Sequence, residues 1–380
     1  MSDADLTATL WDLALGQRWF SGRAGRPVDV ELGDWAQAPE PGRPGLRPAF
    51  LNVDFEDGHR ERYLIPLLYS DGEAPIDACD DAGILLDLLR EDAPGFERLL
   101  PIPEGLPARR YTGEQSNTSI FYGDRLLAKV FRRIEPGSNV DVELHRELRG
   151  SGVVAELYGS WHVDGTDLAV FLESLPDPTD GYVLACEYAA AGRDFTAHAA
   201  ALGAALATVH RVLAERLGTG TRPGSGLAAD FRTRFDGIAA EHPEAREFLP
   251  RASAVFDQVA DEQIVVQRVH GDCHLGQVLL TGGRWIYVDF EGEPLKSLAE
   301  RREPDSPLRD VAGMLRSFGY AEAAGSAGAD WLAETRNAFL TGYGIDPGRP
   351  DPLLSAYEAD KAGYEVAYEA RYRPNSSAYR

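Results

Sequence analysis

Apolar and polar residues alternate over Val28–Leu32, Arg47–Phe55 and Arg60–Leu68, which predicts three strands, the last two joined by a turn at Asp57-Gly58. Helical spacing precedes them at Leu6–Leu15 and follows at Ile76–Leu89, before a proline-rich break over Pro101–Pro107. From Tyr111 the pattern changes. Ser119–Phe121 and Leu126–Phe131 read as strands joined by Gly123-Asp124, a two-residue hairpin signal. A helix is predicted over Val140–Leu148 and strands over Ala155–Trp161 and Leu168–Leu172. Past Glu173-Ser174-Leu175-Pro176, which reads as a hinge, helical periods dominate. They cover Phe195–Leu217, then roughly 227–240, 244–260, 306–318, 327–343 and 351–372, with a loop over Gly218–Gly226 and short strands at 264–269, 277–280 and 284–289. No internal repeat is visible.

Composition narrows the function classes. The chain of 380 residues is 44% hydrophobic and 26% charged, as expected of a globular protein of two or three domains. No apolar run approaches the roughly 20 residues of a membrane span, and the acidic start Met1-Ser2-Asp3-Ala4-Asp5 does not read as a secretion signal, so a cytoplasmic protein is expected. Cys79, Cys186 and Cys273 are far apart, which disfavours disulfides and zinc. A formal net charge of −23 argues against nucleic acid and anionic lipid as partners.

One stretch carries chemistry. Val269-His270-Gly271-Asp272-Cys273-His274-Leu275-Gly276-Gln277 is followed, twelve residues past its Gln, by Asp289-Phe290-Glu291. Phosphoryl transfer from a nucleotide to a hydroxyl requires a carboxylate to take the hydroxyl proton, and an amide oxygen and a second carboxylate to hold magnesium. Asp272, Gln277 and Asp289 have the order and spacing of the kinase set, with Gln in place of Asn. Asp272 is therefore the expected base, and Gln277 and Asp289 are the expected magnesium ligands, both hard oxygen donors. Glu291 either assists the metal or anchors its own loop. His270 reads as a prop of the loop, and His274 either reaches a substrate hydroxyl or serves in packing. Cys273 beside the base invites a nucleophilic reading, against the plainer one of a small filler.

The motif H-G-D-x-H-x-x-Q with its downstream D-x-E resembles the aminoglycoside phosphotransferase-like kinases, and within them the actinobacterial glucosamine kinase and maltokinase relatives. The same resemblance extends over Gln17–Phe20, Glu114–Ser119, Lys129–Arg133, Thr179–Gly181, Arg301–Asp310 and Tyr368–Pro374, nearly the whole chain. It implies an α+β, protein-kinase-like bilobal fold with an additional N-terminal cap. The expected divisions are a cap over 1–105, a β-rich nucleotide-binding lobe over 106–175, and a mostly helical catalytic and sugar-binding lobe over 176–380. It also implies ATP and Mg2+.

Within that frame Lys129, on an apolar strand, is expected to meet the phosphates, with Glu143 on the following helix as its ion-pair partner and Glu147 as the alternative. No Walker-type phosphate loop is present, so Ser116, Asn117, Thr118 and Ser119 are the candidates for capping phosphates, the plain alternative being a polar turn. Glu173 and Leu175 are expected at the nucleotide base. Arg309-Asp310 reads as an interior ion pair bracing the motif loop, with Arg309 also assigned to the substrate side. Glu358, Glu365 and Glu369 recur on one face of the last helix, where Glu365, Glu369 and Arg371 are candidates for gripping a sugar. A short segment after Asp180-Gly181 and the acidic last helix favour glucosamine over maltose as acceptor. Another small alcohol such as an aminoglycoside, or a non-catalytic pseudokinase, are the further alternatives. A monomer or homodimer is expected.

Overall fold

The computed structural model describes residues 3–17, 19–20, 25–33, 45–69, 76–81, 83–112, 116–242, 246, 249–293 and 296–372, with side chains described only as far as 362 in the last helix. The expected Arg18, Glu114, Gln115, Arg373 and Pro374 lie outside these residues. The chain forms two compact units. The first comprises 1–146 and 155–176, and the second 147–154 and 177–380.

The first unit holds two antiparallel sheets. Helix α1 (Asp3–Leu15) precedes β1 (Pro27–Leu32), β2 (Gly45–Phe55), β3 (Arg60–Tyr69) and β4 (Ile76–Asp77), which form a four-stranded sheet in sequence order. Next come α2 (Gly83–Arg90), β5 (Phe96–Arg98), β6 (Ala108–Arg110), β7 (Thr118–Tyr122), β8 (Leu126–Val130), α3 (Val140–Leu148), β9 (Leu157–Val163) and β10 (Thr166–Glu173). Strands β5 to β10 form a six-stranded sheet in the order β5-β9-β10-β8-β7-β6. The helix expected over Ile76–Leu89 is corrected: its first residues make strand and turn, because Ile76 pairs with Leu68 and the Asp77 carboxylate accepts from the Cys79 N–H. The β7–β8 hairpin pairs Tyr122 with Leu126, so its loop has three residues rather than two, with Gly123 at φ 58°.

The segment expected as a separate cap shares its core with the strands that follow. Alternation along β2 and β3 sends Leu51, Val53, Phe55, Ile65 and Leu67 toward Leu6, Leu10 and Trp19, while Phe50 and Leu64 join the core of the six-stranded sheet. β5, which falls within 1–105, is itself a strand of that second sheet.

Arg132 ties the two sheets together. Its side chain is 0% exposed. It donates to Asp77 Oδ2 at 2.7 Å, Thr118 Oγ1 at 2.7 Å and the Leu64 carbonyl at 3.3 Å, and lies 5.0 Å from the centre of the Trp19 ring.

The second unit is mainly helical. β11 (Thr179–Asp180) leads into α4 (Gly181–Ala190), α5 (Thr196–Leu217), β12 (Thr219–Pro223), α6 (Gly224–Glu241) and α7 (Leu249–Asp257). Then follow β13 (Gln263–Gln267), β14 (Val278–Thr281), β15 (Arg284–Tyr287), α8 (Leu298–Arg301), α9 (Leu308–Gly325), α10 (Ala329–Tyr343) and α11 (Pro352–Tyr372). The Gly218–Gly226 loop is corrected: Thr219–Pro223 pairs with β13 as a strand. Helix α4 carries no clear amphipathic stripe and is not evident from periodicity. Its start is nonetheless written in Thr179-Asp180-Gly181: the Asp180 side chain caps the helix by accepting from the Val183 N–H, and a Cβ at Gly181 would stand 2.8 Å from the Leu275 carbonyl. Helix α5 is long and apolar enough to cross a membrane, but half of it is buried within the protein, its Leu202, Leu206 and Leu213 in the core.

Breaking the buried Arg132–Asp77 pair leaves an uncompensated interior cation. Asp77→Ala is expected to lower the unfolding free energy by about 3–5 kcal/mol in urea denaturation. A loss below about 1 kcal/mol would show that water or another group satisfies Arg132.

Candidate active site

The loop between β13 and β14 holds the expected base, and its shape is set by a buried acid on α9. Asp310 Oδ2 accepts from the His270 N–H at 2.7 Å and Oδ1 from the Gly271 N–H at 2.9 Å. His210 Nε2 stands 2.9 Å from Oδ2, and its Nδ1 lies 2.8 Å from the Tyr343 hydroxyl. Helix α9 approaches so closely that a Cβ at Gly313 would overlap the Cys273 carbonyl oxygen. On the other side of the loop, His270 Nε2 donates to the Val288 carbonyl at 3.0 Å, leaving Nδ1 to accept from the Asp272 N–H at 3.4 Å. His270 thus props the loop through both ring nitrogens.

Asp272 is the residue this bracing leaves free. It is half-buried, and among the described residues no side chain or N–H donates to its carboxylate. A carboxylate with open lone pairs on a fixed loop suits accepting a proton from a hydroxyl. Cys273 is buried, and burial together with the nearby Asp310 and Asp272 charges pushes its thiol well above the ordinary value, so it is not a nucleophile. His274 Nδ1 accepts from the Gly276 N–H at 3.0 Å, opening the short helical turn Leu275–Gln277. Burial keeps its imidazolium disfavoured despite Asp272 nearby.

That turn brings Gln277 to Asp289, the amide Nε2 donating to Asp289 Oδ2 at 3.3 Å. The amide oxygen is left for another partner. Asp289, two residues beyond β15, takes a left-handed conformation, φ 63°, a strained state that clusters at functional sites. Carboxylate oxygens of Asp289 and Glu291 lie within 4.8 Å of each other. An amide oxygen and two carboxylates form a hard-oxygen set that fits magnesium.

Two assignments on this side change. Arg309 and Asp310 do not form an ion pair with each other but reach different partners. Arg309, expected at the substrate, is taken up by Glu293 at 2.5 Å, Asp305 at 2.9 Å and the Gly271 carbonyl at 3.2 Å. On α11, Glu358 pairs with Arg336 at 2.7 Å and Asp360 with Arg234 at 2.9 Å, the ordinary ion-paired face expected of them. Glu365, Glu369 and Arg371 lie on this helix, and their side chains are outside the described residues.

In the first unit Lys129 points from the half-exposed side of β8, its side chain 18% exposed, and its Nζ lies 3.2 Å from Asp141 Oδ2. Asp141, two residues before the expected Glu143, is a partner that sequence reading missed. It is buried, and although burial alone would raise it, Lys129 and His145, the latter at 3.1 Å, hold it far below the usual carboxylate range. Of the expected phosphate-capping residues, Thr118 and Ser119 are buried, Thr118 accepts from Arg132, and Asn117 Oδ1 accepts from the Arg132 N–H at 3.4 Å. Thr118 is therefore committed to the fold, and Ser116 is the exposed one of the four. Glu173 closes β10, its carboxylate accepting from the Glu156 N–H at 3.3 Å, and Leu175 packs against the core of the sheet.

Residues 107–353 match the family model described as phosphotransferase enzyme family. Over 310 residues the chain is 30% identical to a glucosamine kinase of Mycolicibacterium smegmatis, covering 70% of this chain and 76% of that protein. The chain belongs to the aminoglycoside phosphotransferase-like kinases, in the glucosamine kinase family. A second glucosamine kinase, from Streptacidiphilus jiangxiensis, is 26% identical over 306 residues, 69% of each chain. In fold the protein is similar to a solved glucosamine kinase in complex with glucosamine, ADP and inorganic phosphate, with a TM-score of 0.71 at 22% identity over 96% of this chain and 95% of that one. The protein is thus an ATP-dependent phosphotransferase with an alcohol group as acceptor, of kinase-like α+β fold.

For this kinase the Asp310 bracing gives a pH dependence. Burial would raise the Asp310 carboxyl, but His210, His270 and the Gly271 N–H more than offset that and hold it below its ordinary 3.8. A carboxyl lowered on folding stabilises fully above its unfolded value and loses that contribution as pH falls through the folded one. Asp310→Asn is expected to lower kcat at least about tenfold and stability by about 3–5 kcal/mol at pH 7. The stability gap to wild type should narrow below about pH 4 in urea unfolding. Wild-type stability and turnover in this variant would remove Asp310 as the brace.

Proposed function

We propose that this kinase phosphorylates glucosamine, at its 6-hydroxyl, using ATP. The observation that carries the reading is Asp272, a carboxylate with no donor among the described residues, on a loop fixed from both sides. In the step itself the acceptor oxygen bonds to the γ-phosphorus, its proton passes to Asp272, and the bond from that phosphorus to the bridging oxygen breaks, releasing ADP. Fixing the loop orients the hydroxyl for in-line attack, which is the main contribution of an ordinary aspartate to this chemistry.

Gln277 and Asp289 would hold magnesium, with Glu291 at hand beside them. When bound, that ion supplies positive charge against the phosphate oxygens. Lys129, steadied by Asp141, would meet the phosphates of ATP. The choice of amino sugar is supported by the names of the two similar kinases and by the acidic last helix, which suits an ammonium group. Maltose, phosphorylated at its anomeric hydroxyl, is the competing acceptor suggested by the maltokinase resemblance.

A coupled ADP-release assay over a panel of sugars tests the reading. Glucosamine should turn over with maltose inert, and Asp272→Asn should lower kcat by about 10²–10⁴-fold while leaving ATP binding intact. Turnover of maltose with glucosamine inert would overturn the acceptor, and a fully active Asp272→Asn would overturn the base.

A further inference from the structure

Glu293 lies four residues beyond Asp289, and the chemistry above gives it no task. Its side chain is 16% exposed and faces three cations. Oε1 accepts from Arg309 at 2.5 Å and from Lys361 Nζ at 3.0 Å, and Lys296 Nζ stands 3.6 Å from Oε2. Arg309 in turn donates to the carbonyl of Gly271, the residue before the base, and to Asp305, which also accepts from the Tyr357 hydroxyl of α11. Burial opposes ionisation of Glu293, yet Lys361, Arg309 and Lys296 hold it well below the usual carboxylate range, so it is an anion at any physiological pH. Burial and the nearby Arg309 make the ammonium of Lys296 correspondingly easier to discharge. Without Glu293, Arg309 and Lys361 would lose the carboxylate oxygen they share.

Three segments therefore meet on one carboxylate: the stretch following Asp289, the start of α9, whose Arg309 reaches on to the loop carrying the base, and the C-terminal helix. Only a charged group of this reach satisfies Arg309 and Lys361 together, because both donate to the same oxygen. Such short charge-assisted bonds fix geometry more firmly than neutral ones.

We infer that Glu293 is a positioning residue for the phosphoryl acceptor, holding the backbone beside Asp272 through Arg309 and helix α11 through Lys361 so that base and acceptor-side helix keep one geometry. The inference rests on the reading of Asp272 as base and α11 as the sugar-side helix. Its signature is selective. Misplacing an acceptor relative to its base lowers turnover steeply, while the grip on ATP, which depends on other residues, is untouched.

Glu293→Gln preserves size and removes the charge. It is expected to raise KM for the acceptor and lower kcat, each about tenfold, with KM for ATP within about twofold of wild type. Hydrogen–deuterium exchange on the full chain should quicken in both 268–277 and 352–362. The double variant Glu293→Gln/Lys361→Met removes a cation along with the anion, and should recover thermal stability without recovering kcat/KM for the acceptor. An unchanged acceptor KM would overturn the inference. Quickened exchange confined to 291–297, or activity returning together with stability in the double variant, would do the same by reducing Glu293 to charge balance. If the wild-type protein turns over no sugar, the proposed function has failed by itself, and the exchange pattern alone decides for or against Glu293.

Discussion

The buried carboxylate of Asp310 is the constraint on which the second unit's chemistry depends. An unpaired charge in that position would cost several kcal/mol, and the fold offsets it with two backbone N–H groups and an imidazole. The two N–H groups belong to the very loop that carries Asp272, so satisfying the acid and shaping the loop are one event. Because Asp310 takes the loop's N–H groups and His270 takes the Asp272 N–H, the Asp272 side chain needs no structural partner. A catalytic carboxylate can remain open only where other groups have already paid the cost of ordering it.

The first unit uses the same device with the opposite sign. Arg132 is a buried cation whose partners come from β3, β4 and the start of β7. It therefore sets the position of Thr118, three residues past the segment 113–115, while its own N–H meets Asn117. In each unit a single interior charge draws distant segments together, because its directional bonds must be met in full and an apolar core has no such requirement.

Much of this was legible in the sequence. Strands such as Arg60–Leu68 and helices such as Val140–Leu148 announced themselves by periodicity, and the spacing of Asp272, Gln277 and Asp289 announced a phosphotransferase. What stayed hidden was the pairing of charges across long separations. Lys129 was assigned Glu143 by helical position, whereas the structure adds Asp141, which faces inward from the first turn of the same helix and is fixed by His145. Arg309 read as an ion-pair partner of its neighbour Asp310, but adjacent residues on a helix point in directions about 100° apart, so each found partners elsewhere. His210 gave a faint signal as a polar residue on an apolar helical stripe. Helix α4 gave little, since its Ala-rich sequence carries no clear amphipathic period. The cap boundary failed for a different reason: around Phe50 and Leu64 the alternation of β2 and β3 gives way to apolar residues on both faces, so that part of the sheet belongs to two cores at once.

The acidity of the whole chain bears on this local picture less than it first suggests. A net charge of −23 opposes an anionic nucleotide at long range, yet in physiological salt the field of surface carboxylates decays over about 8 Å. Inside that distance the cations near the chemistry are few and specific. Lys129 stands beside Asp141, and Lys296, Arg309 and Lys361 gather on Glu293. Partly buried charges are screened less than exposed ones, so local pairs of this kind keep their strength where the field of the surface acids has decayed. An acidic surface and interior cations are thus compatible in one kinase, provided the interior cations are pinned by carboxylates. Glu293 and Asp141 are carboxylates of that kind, each holding a lysine in place.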